Sequence, residues 1–93
     1  MVNHITVTAA RHNLNSVVIH IPVSIHRDYK SGCVVIKETP RGLMIREGTI
    51  CDEKTYQITK QGNTTWTSPN YLEYIGKWSY EIIKGEIFLT DIK

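Results

Sequence analysis

The chain has 93 residues and a formal net charge of +2, from 11 basic and 9 acidic side chains. That length predicts one small domain, 1–93, and leaves no room for a second. The near balance of charge is far from the strongly basic footprint of non-specific nucleic-acid binders, so net charge alone is neutral evidence about partners. The first residues lack the basic start and apolar core of a signal peptide, and no apolar run is long enough to span a bilayer. We therefore expect a cytoplasmic protein without membrane contact.

The first two predicted elements are strands that form a hairpin. Apolar residues alternate with polar ones at Ile5 and Val7, and β-branched residues occupy every second position from Val17 to Ile25. Such alternation gives each strand one apolar face. Closure over a three-residue loop at 11–13 makes that face continuous. The predicted pairs are Ile5 with Ile19 and Val7 with Val17.

The end of the long second strand is a predicted partner-binding edge. Pro22 removes one backbone donor, which favours an edge position at that point. Val23 and Ile25 continue the alternation beyond the predicted hairpin partner. An exposed edge of this kind pairs readily with another chain. We therefore predict that Val23 and Ile25 take part in a homodimer or accept a strand from a partner protein, with later coverage by another strand of this chain as the alternative.

Histidine and cysteine spacing predicts no metal site. The predicted hairpin register sets His4 opposite His20 on the polar face, but zinc requires three or four protein ligands. Cys33 and Cys51 lack metal-type spacing. Without a secretion signal, we expect both thiols to be reduced and mostly buried.

A second hairpin is predicted in the middle of the chain. Residues 33–36, Cys-Val-Val-Ile, are apolar on both faces, which is typical of a central strand covered on both sides. Thr39-Pro40-Arg41-Gly42 has the proline and glycine positions that a type I turn favours. Residues 43–45, Leu-Met-Ile, then return as the second strand.

The same region carries a resemblance to a known family. The stretch Gly32 to Glu38, with Arg41, Leu43, Ile45 and Gly48 after it, resembles part of the swapped-hairpin DNA-binding domains of the AbrB type. In those domains a G-x-V-V-I-P-K-E segment leads into a short helix and two chains intertwine. Here the proline before Lys37 is absent, and Pro40 would break a helix at that place. The resemblance at 32–50 implies contact with nucleic acid.

A third hairpin and a short helix follow. Tyr56 and Ile58 alternate toward a loop at 61–63, whose closure predicts that Ile58 lies opposite Trp66. Ser68-Pro69 and Gly76 then bracket a short helix of about 69–75, with serine as its N-cap and glycine as its terminator.

The last hairpin has the clearest local pattern. Trp78, Tyr80 and Ile82 alternate into a two-residue loop, Lys84-Gly85. The predicted pairs are Ile82 with Ile87 and Tyr80 with Leu89. We expect these five apolar side chains to share one buried face, so that truncating Ile82 or Leu89 to alanine destabilises the fold by roughly 2–5 kcal/mol.

A basic hairpin tip is the remaining candidate site. Lys37, Arg41 and Arg46 cluster there. Four aromatic residues could supply stacking faces for unpaired bases: Tyr56, Trp66, Trp78 and Tyr80. The aromatics also fit the predicted core, which explains them without a ligand. Serine or cysteine nucleophile arrangements, glycine-rich phosphate loops and spaced carboxylate pairs are not discernible in the sequence. We therefore expect no enzymatic activity and no cofactor.

Together these patterns predict a mainly β fold. We expect a small antiparallel β-barrel or a two-layer sheet built from hairpins, with one short helix at about 69–75. The favoured function is a non-enzymatic protein-binding module that acts by occlusion or assembly, such as an inhibitor, an accessory protein or a phage-encoded antagonist of a host system. The alternative is a small nucleic-acid-binding domain. The predicted partner-binding residues are Val23, Ile25, Lys37, Arg41 and Arg46.

Overall fold

Eight antiparallel strands form one sheet that curls into a nearly closed barrel, which confirms the predicted fold class. The computed structural model describes residues 4–11 and 14–92. The spatial order of the strands is β5-β3-β4-β8-β7-β1-β2-β6. The elements are β1 (His4–Ala9), β2 (Ser16–His20), α1 (Val23–His26), β3 (Cys33–Thr39), β4 (Gly42–Glu47), β5 (Tyr56–Gln57), β6 (Asn63–Thr67), a 3₁₀ helix (Tyr71–Tyr74), β7 (Gly76–Ile83) and β8 (Glu86–Ile92).

The barrel interior is filled by one side of each strand. Period-two alternation places every second side chain inside. These side chains are almost completely buried and form a single apolar cluster. The strand residues in the cluster are Ile5, Val7, Val17, Ile19, Val34, Ile36, Leu43, Ile45, Trp66, Trp78, Ile87 and Leu89.

The first hairpin forms, but the predicted register is wrong by two residues. Val7 lies opposite Ile19, and Thr6 lies opposite His20. Because the shift is an even number, the apolar faces stay together. The cause is the loop: Ala10 N–H donates to Ser16 O at 3.1 Å, so the loop is five residues long rather than three. Of the predicted loop 11–13, positions 12 and 13 lie outside the described residues.

The predicted long second strand is also wrong, because β2 ends at His20 and α1 follows. Pro22 is the N-cap residue of α1, with φ −56° and ψ 140°. Proline fixes φ and carries no N–H, so it suits the start of a helix better than the middle of a strand. Ile25 turns inward and packs against the core cluster, while Val23 is 54% exposed.

The β3–β4 hairpin is confirmed. Thr39 pairs with Gly42 across a two-residue turn, and the Gly42 N–H donates to Thr39 Oγ1 at 3.0 Å. Val34 belongs to the core cluster, while Val35 on the opposite face is only 4% exposed. The predicted coverage of both faces is therefore confirmed. The chain continues from Glu38 into the turn without a helix, so the AbrB-type segment order is not found here.

The predicted third hairpin is wrong. β5 pairs with β3, whereas β6 pairs with β2 at the opposite end of the strand order. The Ile58 N–H donates to Gly32 O at 3.1 Å, so Ile58 does not lie opposite Trp66. The local turn is real, since Thr59 N–H donates to Asn63 O at 2.9 Å. Closure of the barrel brings the two edge strands close to each other at this turn.

The predicted short helix exists as the 3₁₀ helix, but its ends differ. Ser68 Oγ accepts from Asn70 N–H at 3.1 Å, and Gly76 begins β7 instead of terminating the helix. Tyr74 packs between two tryptophans, with ring centres 5.3 Å from Trp66 and 6.0 Å from Trp78. Trp78 Nε1–H donates to Tyr74 O at 2.9 Å. These aromatic contacts close one end of the barrel, which we call the closed end.

The terminal hairpin is confirmed in register, with Tyr80 opposite Leu89 and Ile82 opposite Ile87. Lys84 and Gly85 both have positive φ, 52° and 82°, as a type I′ turn requires. One expectation is wrong: Ile82 is 51% exposed, although Ile87 opposite it is completely buried, so toward the turn only the β8 side of this face lies in the core.

Candidate protein-binding edge

One hydrogen-bonding edge of β3, the edge opposite β4, lacks a partner strand over most of its length. β4 pairs with β3 from Val34 to Thr39, but β5 pairs only with Cys33 and Val34. Within residues 4–11 and 14–92, no other strand neighbours this side of β3. We call the β5-facing side of residues 35–39 the β3 edge.

Two hydrogen bonds show which backbone groups the β3 edge presents. Gly48 N–H donates to Cys33 O at 2.9 Å, so Cys33 faces β4. Ile58 N–H donates to Gly32 O, so Gly32 faces β5. Backbone groups alternate sides along a strand. The N–H and C=O groups of Ile36 and Glu38 therefore point to the β3 edge.

β5 is short because the chain before it is held away from β3. Asp52 accepts two hydrogen bonds from Arg46, at 2.7 and 3.1 Å, and one from Thr49 N–H at 2.7 Å. These contacts fix the 48–52 turn above the outer face of the sheet. An extension of β5 would place residues 52–54 opposite residues 36–38, and the Asp52 contacts keep them away from that position.

A groove of about 370 Å³ lies between the β3 edge and the displaced segment. We call it the β3 groove. Lys54 is one of its walls, and its Nζ lies 5.5 Å from the centre of the Tyr56 ring. The lining residues are Val35, Ile36, Lys37, Cys51, Asp52, Glu53, Lys54 and Tyr56.

The three predicted basic residues are not one cluster. Lys37 is exposed and lines the β3 groove. Arg41 is exposed in the β3–β4 turn and lines a different groove. Arg46 forms the ion pair with Asp52, which raises the pKa of Arg46 and holds the pKa of the Asp52 carboxyl well below its usual range. Arg46 therefore shapes the edge and does not present a free cation.

In the described part of the chain, the two ends of the sheet do not pair through their backbones, and we call the gap between the β5–β3 end and the β6 end the seam. The Glu38 side chain bridges this seam. Its Oε1 accepts from Tyr74 Oη–H at 2.7 Å and from Asn70 Nδ2–H at 3.1 Å. Both partners follow β6, the other edge strand, so side chains bridge the seam where the backbone does not. Burial and the Glu38 contact raise the pKa of Tyr74 to about 12.

The predicted ledge at Val23 and Ile25 is not formed, because α1 replaces the strand. Ile25 instead lines a groove of about 500 Å³ at the barrel mouth, opposite the closed end. Tyr29 and Tyr80 lie on the other sides of this groove. Whether Val23 and Ile25 contact a partner stays a prediction, but it no longer rests on an exposed strand.

A third groove, of about 350 Å³, lies on the outer face beside the β3–β4 turn. Pro40, Ile83 and Phe88 give it an apolar lining, with Arg41 and Glu81 at its margin. Ile83 is 51% exposed. This surface offers apolar contact area. The pairing of the strands around it identifies no free backbone groups there among the described residues.

The histidines and cysteines are dispersed. His4 lies opposite Ser79 and not opposite His20, so the predicted pairing is wrong. His20 Nδ1 contacts Asn63 Oδ1 at 2.5 Å. Both cysteines are free, but Cys51 is exposed rather than buried. In the part of the chain that the structure describes, no three metal-ligating side chains lie together.

The β3 edge was not predicted from the sequence, although one feature of the sequence indicates a short neighbouring strand. The alternating run at 56–58 is very short, and the polar stretch 52–55 precedes it. A strand that short leaves most of a seven-residue neighbour uncovered. The sequence could not show that β3 was this neighbour.

No protein-family model, curated protein or solved structure matches this chain. Among residues 4–11 and 14–92, no helix is long and apolar enough to cross a membrane.

Proposed function

We propose that the protein is a non-enzymatic protein-binding module that acts in the cytoplasm, as an inhibitor or accessory protein, by occlusion or assembly. Its partner contributes an extended segment that pairs with the β3 edge. The observation that carries the proposal is the set of outward backbone groups of Ile36 and Glu38, which no strand of the described residues pairs, with the β3 groove beside Ile36.

Strand addition suits this edge physically. An edge strand with free N–H and C=O groups is a template for another chain. β3 is already ordered by its pairing with β4, so a partner does not have to order it. The β3 groove provides room for side chains of the added segment, and main-chain hydrogen bonds supply affinity.

The nucleic-acid alternative loses part of its support in this geometry. Trp66 and Trp78 are each 4% exposed and cannot stack on bases without unfolding the core. Arg46 is bound to Asp52. Lys37 and Arg41 remain exposed, so nucleic-acid binding stays a prediction that a nuclease control separates from protein binding.

The test uses two substitutions at one position. Glu38→Pro removes the outward N–H, while the bonds of Lys37 and Thr39 to β4 remain. Glu38→Ala loses the same carboxylate but keeps the N–H, which makes it the matched control. Thermal unfolding and the amide NMR spectrum verify that both variants retain the fold.

The tagged full-length chain and both variants are used to recover partners from lysate of the native host, with and without nuclease. We expect the same protein to be recovered by the wild type and Glu38→Ala, independently of nuclease, and to be lost with Glu38→Pro. Equal recovery by the two folded variants would show that the edge is not the binding site. Recovery that nuclease abolishes would favour the alternative function.

A further inference from the structure

We infer, on the basis of the proposed function, that the segment added to the β3 edge belongs to a different protein and carries an acidic side chain opposite Lys37. Three observations lead to this inference: the register that the edge allows, the lack of an ion-pair partner for Lys37 among the described residues, and the charges of the β3 groove.

The register argues against a second copy of the chain. Antiparallel pairing of two β3 edges that uses Ile36 and Glu38 of both copies sets Lys37 directly opposite Lys37 of the second copy. Like charges directly opposite each other destabilise a sheet. A register centred on Glu38 opposes two glutamates. A register centred on Ile36 needs Val34, which β5 already occupies.

Lys37 is a cation available to a partner. It is exposed on the outer face of β3, and the ion pair found among the described residues is Arg46 with Asp52. Asp52 lines the same groove, but its two carboxylate oxygens are held by Arg46. In an added strand, the residue opposite Lys37 has its Cβ about 5 Å away, on the same face. A carboxylate there completes the pair.

The other charges of the β3 groove do not oppose this preference. Arg46 neutralises Asp52, and Lys54 and Glu53 balance each other, so Lys37 gives the groove a net positive charge. On the interior side, the residue opposite Ile36 meets apolar surface at the seam, because Ile36 and Tyr56 lie there. The expected segment is therefore extended, with an acidic side chain next to an apolar one.

Two capped pentapeptides serve as probes: acetyl-Thr-Val-Glu-Val-Thr-amide and the same peptide with lysine at its centre. Binding to the isotope-labelled full-length protein is followed by amide NMR shifts. We expect both to shift the Ile36 and Glu38 amides, with the glutamate peptide bound at least about threefold more tightly. Added salt reduces this preference.

Two variants assign the preference to Lys37. In Lys37→Gln the two peptides should bind with equal affinity. Lys77→Gln removes an exposed charge on β7 outside the β3 groove and should leave the preference intact. A glutamate peptide with N-methylated backbone should not bind, because it cannot complete the main-chain hydrogen bonds.

Equal affinity of the two peptides for the wild-type edge would overturn this inference and leave strand addition standing. A dimer that persists in Glu38→Ala but is lost in Glu38→Pro would overturn it in favour of a second copy. Failure of both peptides to shift the edge amides would also overturn it, and the lysate experiment then decides separately whether the proposed function fails as well.

Discussion

The closed end and the β3 edge are built from the same kind of strands, but polar groups are paired at the closed end and left unpaired at the β3 edge. At the closed end, Trp78 donates its ring N–H to Tyr74 O and both rings are buried. At the β3 edge, Ile36 and Glu38 keep their outward backbone groups free of any described strand. Stability is therefore concentrated where apolar side chains are buried and polar groups are paired, whereas the unpaired backbone groups lie at the edge that we propose for partner binding.

Truncation of a closed-end core residue should have the largest effect. Leu89 is 1% exposed, so Leu89→Ala leaves a cavity and should cost about 2–5 kcal/mol of unfolding free energy. Ile82, on the same hairpin face, is 51% exposed, and Ile82→Ala should cost less than about 1 kcal/mol. Denaturant unfolding of both variants measures the two values. Similar losses in the two variants would mean that burial does not follow the described hairpin.

A glycine at the closed end should tolerate substitution less well than one beside the β3 edge. A Cβ on Gly42 would collide with Leu89 O and lie 2.8 Å from the Trp78 ring, whereas a Cβ on Gly32 meets nothing within 4 Å. Gly32→Ala should cost about 1 kcal/mol, because its φ of 70° is unfavourable for alanine. Gly42→Ala should cost about 3 kcal/mol, since backbone must also move. Thermal and denaturant unfolding test this order, which equal midpoints would contradict.

The bridge between the two regions should contribute a smaller amount. Tyr74→Phe removes the hydrogen bond to Glu38 while preserving the ring packing, and we expect a loss of about 1 kcal/mol at neutral pH. Glu38→Ala removes the acceptor and should cost a similar amount. If the hydrogen bond carries the effect, the double variant should lose little more than either single variant.

The same tyrosine should make the fold sensitive to alkali. Its pKa is raised from 10.0 to about 12, so the folded state keeps the proton that the unfolded state loses. The resulting contribution to stability is complete below pH 10.0 and declines as pH rises through about 12. Tyr74→Phe should show a smaller decline over this range in denaturant unfolding. An unchanged decline would assign the alkaline effect to other groups, of which Tyr29, whose pKa burial also raises, is the first candidate.

The smallest effect is expected at the contacts that hold the β3 groove open. The Arg46 and Thr49 hydrogen bonds lower the pKa of Asp52 below its ordinary 3.8. Its contribution is therefore present above that pH and is lost as pH falls through the folded-state pKa. Asp52→Asn should lose less stability than the wild type as pH falls from about 5 to about 2. Amide NMR should also show movement of the 48–55 segment toward the β3 edge.

Local patterns correctly predicted the two hairpins whose turn residues favour one tight turn. Lys84-Gly85 and Pro40-Arg41 adopt tight turns through their backbone preferences, so both registers could be predicted. The first hairpin failed by two residues, because its five-residue loop has no comparably strong signal. Its faces survived, since side-chain period is insensitive to an even shift.

The candidate site was predicted only in fragments. Lys37 was identified as a binding residue, and it does line the β3 groove. Arg46 was grouped with it, but the sequence could not show that Asp52, six residues later, would bind its guanidinium. Val23 and Ile25 continue the alternating pattern of β2, but the strand ends before Pro22 and a helix follows. The sequence alone could not show this, because a proline suits both an edge strand and a helix start.

The sequence by itself determined a β-rich domain, the inner and outer faces of its main strands and two of its turns. These depend on side-chain period and on the backbone preferences of a few residues. Only the tertiary structure decided that β5 and β6 would separate to opposite ends of the sheet and that β3 would keep a free edge. Strand pairing in a barrel depends on which strands, distant in the sequence, compete for each edge. No local sequence pattern reports the outcome of that competition.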